Sequence, residues 1–153
     1  MIFKIYNSNR DISSMEKTRI VSFLNTHLDD YGDSPEDIGK AVDFALQISN
    51  PFLKILPLGG MVLIGKEDRK IVGAVVMNRT GMNGYVPDNL LVYIAVHKDF
   101  RGQGFGKQLI RKTIELTQGD IKLHVEHDNP AKFLYEKIGF TAPYLEMRFK
   151  NSK

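Results

Sequence analysis

The feature that most constrains the fold is an uninterrupted hydrophobic segment that runs directly into a glycine-rich turn. Every residue from Leu90 to Val96 is hydrophobic, which is typical of a strand buried on both faces. The turn that follows carries three alternating glycines and reads Val96-His97-Lys98-Asp99-Phe100-Arg101-Gly102-Gln103-Gly104-Phe105-Gly106-Lys107. A helix is predicted from there to about Gln118, with Gly119 as its left-handed C-cap. The segment therefore predicts a strand, a tight turn and a helix in succession.

The glycine-rich turn has the properties of an anion site. Glycine permits positive φ angles and lets a ligand approach the backbone closely. The first turn of the following helix has unpaired N–H groups and lies at the positive end of the helix dipole. Arg101 and Lys107 add positive charge at the rim. Three glycines within five residues are more than a turn with surface charges needs, so we predict a phosphate or pyrophosphate site.

Two well-known phosphate motifs do not fit this turn. A P-loop needs Ser or Thr after its lysine and a glycine five residues before its last one. Here Gln108 follows Lys107, and Arg101 occupies the earlier position. A dinucleotide-binding loop needs its third glycine one residue later, and it follows the first strand of its fold. In this chain the turn follows the fourth predicted strand.

The remaining patterns predict a single α/β domain over residues 1–153. Ser13 with Glu16 forms a capping-box pattern, and Ser34-Pro35 is a second helix start. Proline at Asn50-Pro51 is expected to end the second helix. The predicted order is β-α-α-β-β-β-α-β-α-β. The strands are predicted over Ile2–Asn7, Met61–Gly65, Lys70–Met77, Leu90–Val96, Ile121–Val125 and Tyr144–Phe149. The last helix is predicted over Pro130–Ile138, with Gly139 as its C-cap.

Composition excludes several classes of function. The chain has no cysteine, which excludes disulfides, thiolate nucleophiles and cysteine-based metal sites. Its net charge of +3 comes from scattered residues, whereas nucleic-acid binders carry clustered basic stripes. No segment resembles a signal peptide or reaches the about 20 apolar residues that span a bilayer. We therefore expect a soluble cytoplasmic protein that binds neither nucleic acid nor membrane.

Two segments resemble the GNAT (Gcn5-related) N-acetyltransferases. Arg101, Gly104 and Gly106, after a strand that ends Ile94-Ala95-Val96, resemble the family's pyrophosphate loop. Downstream, the resemblance extends over Asn129-Pro130-Ala131-Lys132-Phe133-Leu134-Tyr135-Glu136-Lys137-Ile138-Gly139-Phe140. The two segments are separated by the length of one helix and one strand. The resemblance covers residues 90–140, about a third of the chain, and implies a mixed, mostly antiparallel sheet that splays beside the Leu90–Val96 strand.

The resemblance implies acetyl-CoA as the acyl donor. No metal is expected, because His124 and His127 are three positions apart and would point to opposite faces of a strand. The resemblance assigns the pantetheine arm to the backbone of Ile94, Ala95 and Val96, and a further contact with the arm to Asn129. The region of Phe133 is assigned to the adenine. The pyrophosphate is assigned to the loop residues Arg101, Gly102, Gln103, Gly104, Phe105, Gly106 and Lys107.

The expected chemistry is attack of a neutral amine on a thioester. A backbone N–H of the Leu90–Val96 strand is expected to stabilise the developing oxyanion. Tyr135 matches the family's general acid, and a phenol suits protonation of a thiolate leaving group. The strand contains no acid to act as the base. Glu126 is the nearest candidate, followed by His127 and His97, and Tyr93 ordering a water chain is the alternative.

The sequence predicts the acceptor as a class, a small-molecule amine or a peptide amine. Acids cluster around the two N-terminal helices, a pattern that a solvated helix surface explains better than a cationic acceptor does. The resemblance allows a homodimer, which no sequence feature specifies. The alternative function is a non-catalytic module of the same fold that binds CoA or acyl-CoA as a sensor.

Overall fold

The structure is a computed structural model that describes residues 1–47 and 59–153. The mixed α/β architecture confirms the predicted fold class. In chain order, the elements are β1 (Ile2–Tyr6), α1 (Ser14–His27), α2 (Pro35–Ala45), β2 (Gly60–Glu67), β3 (Lys70–Arg79), β4 (Asn89–Val96), α3 (Phe105–Leu116), β5 (Ile121–Leu123) and α4 (Ala131–Ile138). Within these two ranges, no helix is long and apolar enough to cross a bilayer.

Both predicted helix starts in the N-terminal part are confirmed. The Ser13 side chain accepts a hydrogen bond from the Glu16 N–H, and the Ser34 side chain accepts one from the Asp37 N–H. Each bond satisfies an N–H that the helix itself leaves without a partner. Helix α2 ends at Ala45, so the predicted stop at Asn50-Pro51 lies outside the described residues.

Five strands form one sheet in the order β1-β2-β3-β4-β5. The first three pairings are antiparallel, and β4 pairs with β5 in parallel. The β2–β3 hairpin turns at Asp68 and Arg69, which have φ angles of 45° and 68°. These positive values are typical of the two-residue turns that match strand twist. The sheet is therefore mixed and mostly antiparallel, as predicted.

Two apolar clusters cover the faces of the sheet. One packs α1 and α2 against Val62, Ala74, Val76, Tyr93 and Ala95, and the other packs Leu109 of α3 against the opposite face. Burial alternates along β4 between buried and half-buried side chains. The prediction that this strand is buried on both faces is therefore wrong in part, because half-buried side chains lie on each face, Val92 on one and Ile94 and Val96 on the other.

Two predictions near the C-terminus need correction. Thr117, in an extended conformation, is the C-cap of α3, whereas Gly119 has φ +83° but lies two residues beyond the cap. The strand predicted over Tyr144–Phe149 is not formed, and its four large hydrophobic side chains are 83–91% exposed. Alternation signals a strand only where a neighbouring edge pairs with it, and β5 has just three residues. Gly139 does cap α4, with φ +116°.

Candidate active site

Strands β4 and β5 part shortly after they begin to pair. Their register runs only from Asn89 opposite Ile121 to Leu91 opposite Leu123. On the other side, β3 places Met77 opposite Leu91 and Val76 opposite Tyr93, so Val92 is an extra residue in β4. Such a bulge bends the strand and interrupts its ladder. Beyond it, the edge of β4 that faces β5 has no strand partner in the described residues, and this matches the predicted splay.

The turn after β4 presents a set of N–H groups. Gly102 and Gly104 have φ angles of +73° and +82°, and a Cβ added to either would meet nothing within 4 Å. In the described part of the chain, no protein acceptor pairs with the N–H groups of residues 102–107. Gly104 is the N-cap of α3 and supplies no side-chain bond to it. This surface fits an anion approaching the first turn of the helix.

Gly106 has a different role from the other two glycines. A Cβ built on it would lie 3.1 Å from Leu134 Cδ2 and 3.7 Å from Val96 Cγ2. The first distance is tighter than ordinary van der Waals contact, and the second is an ordinary contact. Gly106 therefore lets α3 approach α4 closely, whereas Gly102 and Gly104 leave the ligand side open.

Arg101 holds the turn to the end of α1. Its Nη1 donates to Asp29 Oδ2 at 2.6 Å, its Nη2 to the His27 carbonyl at 2.7 Å and its Nε to the Val96 carbonyl at 3.1 Å. Its own N–H donates to the Lys98 carbonyl. The sequence predicts that Arg101 adds positive charge beside the pyrophosphate. In the structure, its guanidinium makes three hydrogen bonds to other residues of the protein.

A stack of aromatic rings continues from α1 into the turn. The His27 and His97 ring centroids lie 4.3 Å apart, and His97 contacts Phe100 edge-on at 5.6 Å. His27 is buried, and its Nδ1 accepts a hydrogen bond from the Lys98 N–H at 3.4 Å. Burial, followed by the charges of His97 and Arg101, lowers the pKa of His27. A neutral His27 thus supports the turn.

Tyr135 of α4, the predicted general acid, is buried. It is 8% exposed, and its ring packs edge-on against Phe140 with centroids 5.9 Å apart. Burial raises the pKa of Tyr135 to about 12. The phenol therefore keeps its proton at neutral pH, which a general acid requires.

The other predicted site residues lie in the turn, at the start of α3, in the loop after β5 and on α4. The Asn129 Oδ1 accepts from the Ala131 N–H at 2.9 Å and so helps to start α4. Glu126 is exposed in the loop after β5, and Phe133 is 67% exposed. The Gln103 Nε2 donates to the Asp99 carbonyl at 3.0 Å. Lys107 is exposed, and Phe105 packs edge-on against Phe100.

A contact that the sequence did not predict lies beside the bulge. The Tyr93 hydroxyl donates to Asp33 Oδ2 at 2.5 Å, across 60 positions of sequence. Nearby, the Tyr31 hydroxyl donates to the Asp128 carbonyl at 3.2 Å. The connection between α1 and α2 thus touches both β4 and the loop after β5, and it bridges the place where the two strands part. No local motif marks Asp33, because its role depends on this long-range contact.

Comparison with known proteins identifies similar sequences. A family model described as "Acetyltransferase (GNAT) domain" matches residues 59–142. The ribosomal protein bS18-alanine N-acetyltransferase of Haemophilus influenzae is 35% identical over a match covering 48% of this chain and 50% of that protein. The chain therefore spans about half the length of the curated relative that it matches.

Comparison of structures identifies the same fold in more distant proteins. A GNAT family acetyltransferase of Streptococcus pneumoniae superposes with a TM-score of 0.66 at 14% identity, covering 99% of this chain and 98% of that one. An aminoglycoside N-acetyltransferase in complex with CoA gives a TM-score of 0.58 at 14% identity, covering 99% and 100%. At these identities, the likeness establishes the fold alone.

Proposed function

The chain belongs to the GNAT acetyltransferase family, and we propose that it transfers the acetyl group of acetyl-CoA to a primary amine by direct attack in a ternary complex. The observation that carries the proposal is the pairing of two open backbone surfaces. One is the edge of β4 beyond Leu91, where the strand has separated from β5. The other is the set of N–H groups at residues 102–107.

These surfaces fit the two halves of acetyl-CoA. The pantetheine arm contains amide groups that hydrogen-bond to an extended strand, and Ile94 to Val96 present such an edge. The pyrophosphate suits the N–H groups around Gly102 and Gly104, where an added Cβ would occupy the space a ligand needs. The complex of a related fold with CoA supports this assignment. Acetyl-CoA supplies the activated thioester to the reaction.

In the proposed mechanism, this chain supplies a proton donor and an oxyanion donor. A backbone N–H of β4 near the bulge stabilises the charge that develops on the acetyl oxygen. Tyr135 donates its proton to the departing thiolate. Its raised pKa, about 12, keeps it protonated until that moment. Because no cysteine is present, the acetyl group is not held on a cysteine thiol in passing.

The acceptor is proposed as a class, a small-molecule amine or a peptide amine. The relatives named above act on the alanine of a ribosomal protein and on aminoglycosides, and both chemistries offer a primary amine. Glu126 is the base predicted from the sequence. A homodimer and a cytoplasmic location are also predictions from the sequence.

A panel assay tests the proposed activity. Release of CoA thiol from acetyl-CoA is followed with spermidine, kanamycin, a peptide with N-terminal alanine and a peptide with an internal lysine. At least one amine is expected to accelerate release and to gain the mass of one acetyl group. Binding of acetyl-CoA with no transfer to any amine would favour the alternative, a sensor of CoA or acyl-CoA.

Tyr135→Phe separates the acid from the binding surface. The variant keeps the packing against Phe140 but has no proton to donate. We expect kcat to fall by about tenfold or more, with the Kd for acetyl-CoA within about twofold of the wild type. Tyr144→Phe removes a hydroxyl from an exposed residue and serves as the matched control. An unchanged kcat in Tyr135→Phe would remove this residue from the mechanism.

A further inference from the structure

The bulge in β4 turns two successive side chains to the same side of the sheet. Val92 and Tyr93 both pack against the cluster formed with α1 and α2, whereas Leu91 and Ile94 lie on the opposite face. The Tyr93 ring is 8% exposed, so packing fixes its position. Tyr93 immediately precedes the backbone segment that the proposed function assigns to acetyl-CoA. Its backbone therefore adjoins the proposed donor site, and its side chain extends from there onto the face covered by α1 and α2.

The Tyr93 hydroxyl has a defined orientation. It donates to Asp33 Oδ2 at 2.5 Å, which commits its single proton to the carboxylate. The lone pairs of the same oxygen stay available to accept a hydrogen bond from another group. Asp33 is exposed, whereas the tyrosine that it contacts is buried. The pair thus presents an acceptor oxygen beside β4, with a carboxylate and solvent behind it.

We propose that Tyr93 and Asp33 form the proton-accepting relay for the amine, an inference that rests on the proposed acetyl transfer. Tyr93 is the group that touches the amine, and Asp33 is the positioning residue and proton acceptor behind it. Their arrangement supplies what β4 itself lacks, since the strand contains no carboxylate. The inference places the base at Asp33, which contacts a buried tyrosine of β4, rather than at Glu126 in the loop after β5.

The relay moves one proton in two linked transfers. The ammonium gives a proton to the Tyr93 oxygen while the Tyr93 proton passes to Asp33, leaving a neutral amine, an intact phenol and a protonated carboxyl. The amine nitrogen then bonds to the acetyl carbon, and the carbon–sulfur bond breaks. The thiolate takes the Tyr135 proton, and the second proton lost by nitrogen restores Tyr135. Asp33 releases its proton to solvent, so one proton reaches the thiol and one leaves.

The charges around the pair stay constant over the working pH range. Burial, then the hydrogen bond to Asp33 and the charges of Asp33 and Asp37, raise the pKa of Tyr93 well above its usual value. Tyr93 therefore acts as a conduit rather than as the final base. Lys40 lowers the pKa of Asp37, and Glu146 raises the pKa of Arg148, which also senses Asp33. Asp37 and Arg148 therefore both keep their charges between pH 6 and about 10.

The test compares Asp33→Asn and Tyr93→Phe with the wild type across pH 6 to about 10. The probe is the panel amine with the highest wild-type kcat/KM. Each variant is expected to lower kcat/KM by about 100-fold at pH 7, the usual scale for a lost general base. The deficit should shrink towards high pH, where the amine is already neutral in solution. The double variant should be no slower than either single one, because both act in one relay.

Matched variants separate the relay from other effects. Asp43→Asn removes the same charge from an exposed position on α2 and should leave kcat/KM unchanged. Asp33→Glu should restore part of the lost rate. The Kd for acetyl-CoA should stay within about twofold in every variant. That result would show that the donor site is intact.

Three outcomes would overturn the inference. Retained activity in Asp33→Asn or in Tyr93→Phe would exclude the relay while the acetyltransferase function stands. A pH-dependent deficit in Glu126→Gln that is absent from Asp33→Asn would return the role of base to Glu126. A wild-type chain that acetylates none of the panel amines would refute the proposed function, and the relay with it.

Discussion

The turn that follows β4 and the connection between α1 and α2 both border the proposed site, and they are built in different ways. The turn depends on local chemistry, namely two glycines at positive φ and the first N–H groups of α3. The connection depends on distant partners, with Tyr93 lying 60 positions from Asp33 and Asp128 lying 97 positions from Tyr31. A local signal can be read from sequence, whereas a contact between distant segments requires the fold.

Arg101 joins these two regions. It belongs to the turn by sequence, but its guanidinium binds Asp29 and the His27 carbonyl at the end of α1. The position of the proposed donor site therefore depends in part on the helix that leads to the proposed acceptor side. The following variants separate local from long-range contributions, beginning with the largest expected effect.

Gly104→Val tests the local side of the comparison. Valine at φ +82° is strained, and its side chain would fill the space next to the free N–H groups. We expect the Kd for acetyl-CoA to rise by about 100-fold or more, a loss of about 2.7 kcal/mol. Titration calorimetry measures it.

The control for Gly104→Val is Gly84→Val. Gly84 also has a positive φ, +93°, and open space around it, but it lies in the turn between β3 and β4. The control should show comparable backbone strain and an unchanged Kd. Equal affinity in the two variants would contradict the placement of the pyrophosphate at residues 102–107.

Arg101→Met and Arg101→Lys test the link between the two regions. Lysine keeps the charge but lacks the fork that binds Asp29 and a carbonyl together. Because both variants lose the paired contacts of Arg101 with Asp29 and the His27 carbonyl, we expect the free energy of unfolding to fall by about 1 kcal/mol in each. Both should also bind acetyl-CoA several-fold more weakly. Chemical denaturation and calorimetry measure the two effects. Wild-type affinity in Arg101→Lys alone would favour the sequence's interpretation, in which the charge itself binds the pyrophosphate.

The His27 ring tests the same link through pH, with the smallest expected effect. Burial, together with His97 and Arg101, lowers the pKa of His27 in the folded chain, so the unfolded chain binds a proton first as the pH falls. The stability that neutral His27 contributes is therefore fully present above about pH 6.5 and is lost as the pH falls below that value. His27→Phe should reduce the drop in Tm between pH 7.5 and 5.5 by a few degrees. His124→Phe, at an exposed position, should leave that drop unchanged.

Much of the fold could be predicted because its signals are local. The capping serines Ser13 and Ser34 set helix starts through bonds to N–H groups three residues away, and Gly139 ends α4 at φ +116°. The segment Tyr144–Phe149 shows the limit of such signals. Its alternation is typical of a strand, but strand formation needs a paired neighbour, which the sequence does not specify.

For the site, the sequence selects residues but does not establish their roles. The glycines of the turn are selected by their spacing and Tyr135 by the family resemblance, and the roles given to them stay predictions. Arg101 was assigned to the ligand because sequence shows a charge but not its partners. Asp33, which the relay proposal adds, is one of several acids near the N-terminal helices, and only its contact with Tyr93 distinguishes it.

The most direct test of the central claim is thermal unfolding with acetyl-CoA, CoA, ATP and NAD added in turn. A ligand at about 100 times its Kd stabilises the native chain by about 2.7 kcal/mol, which raises the Tm of a chain this long by about 5–10 °C. The proposed site predicts that rise with acetyl-CoA and CoA and none with ATP or NAD. A rise with ATP or NAD and none with either form of CoA would contradict the acetyltransferase assignment and the role given to Tyr135.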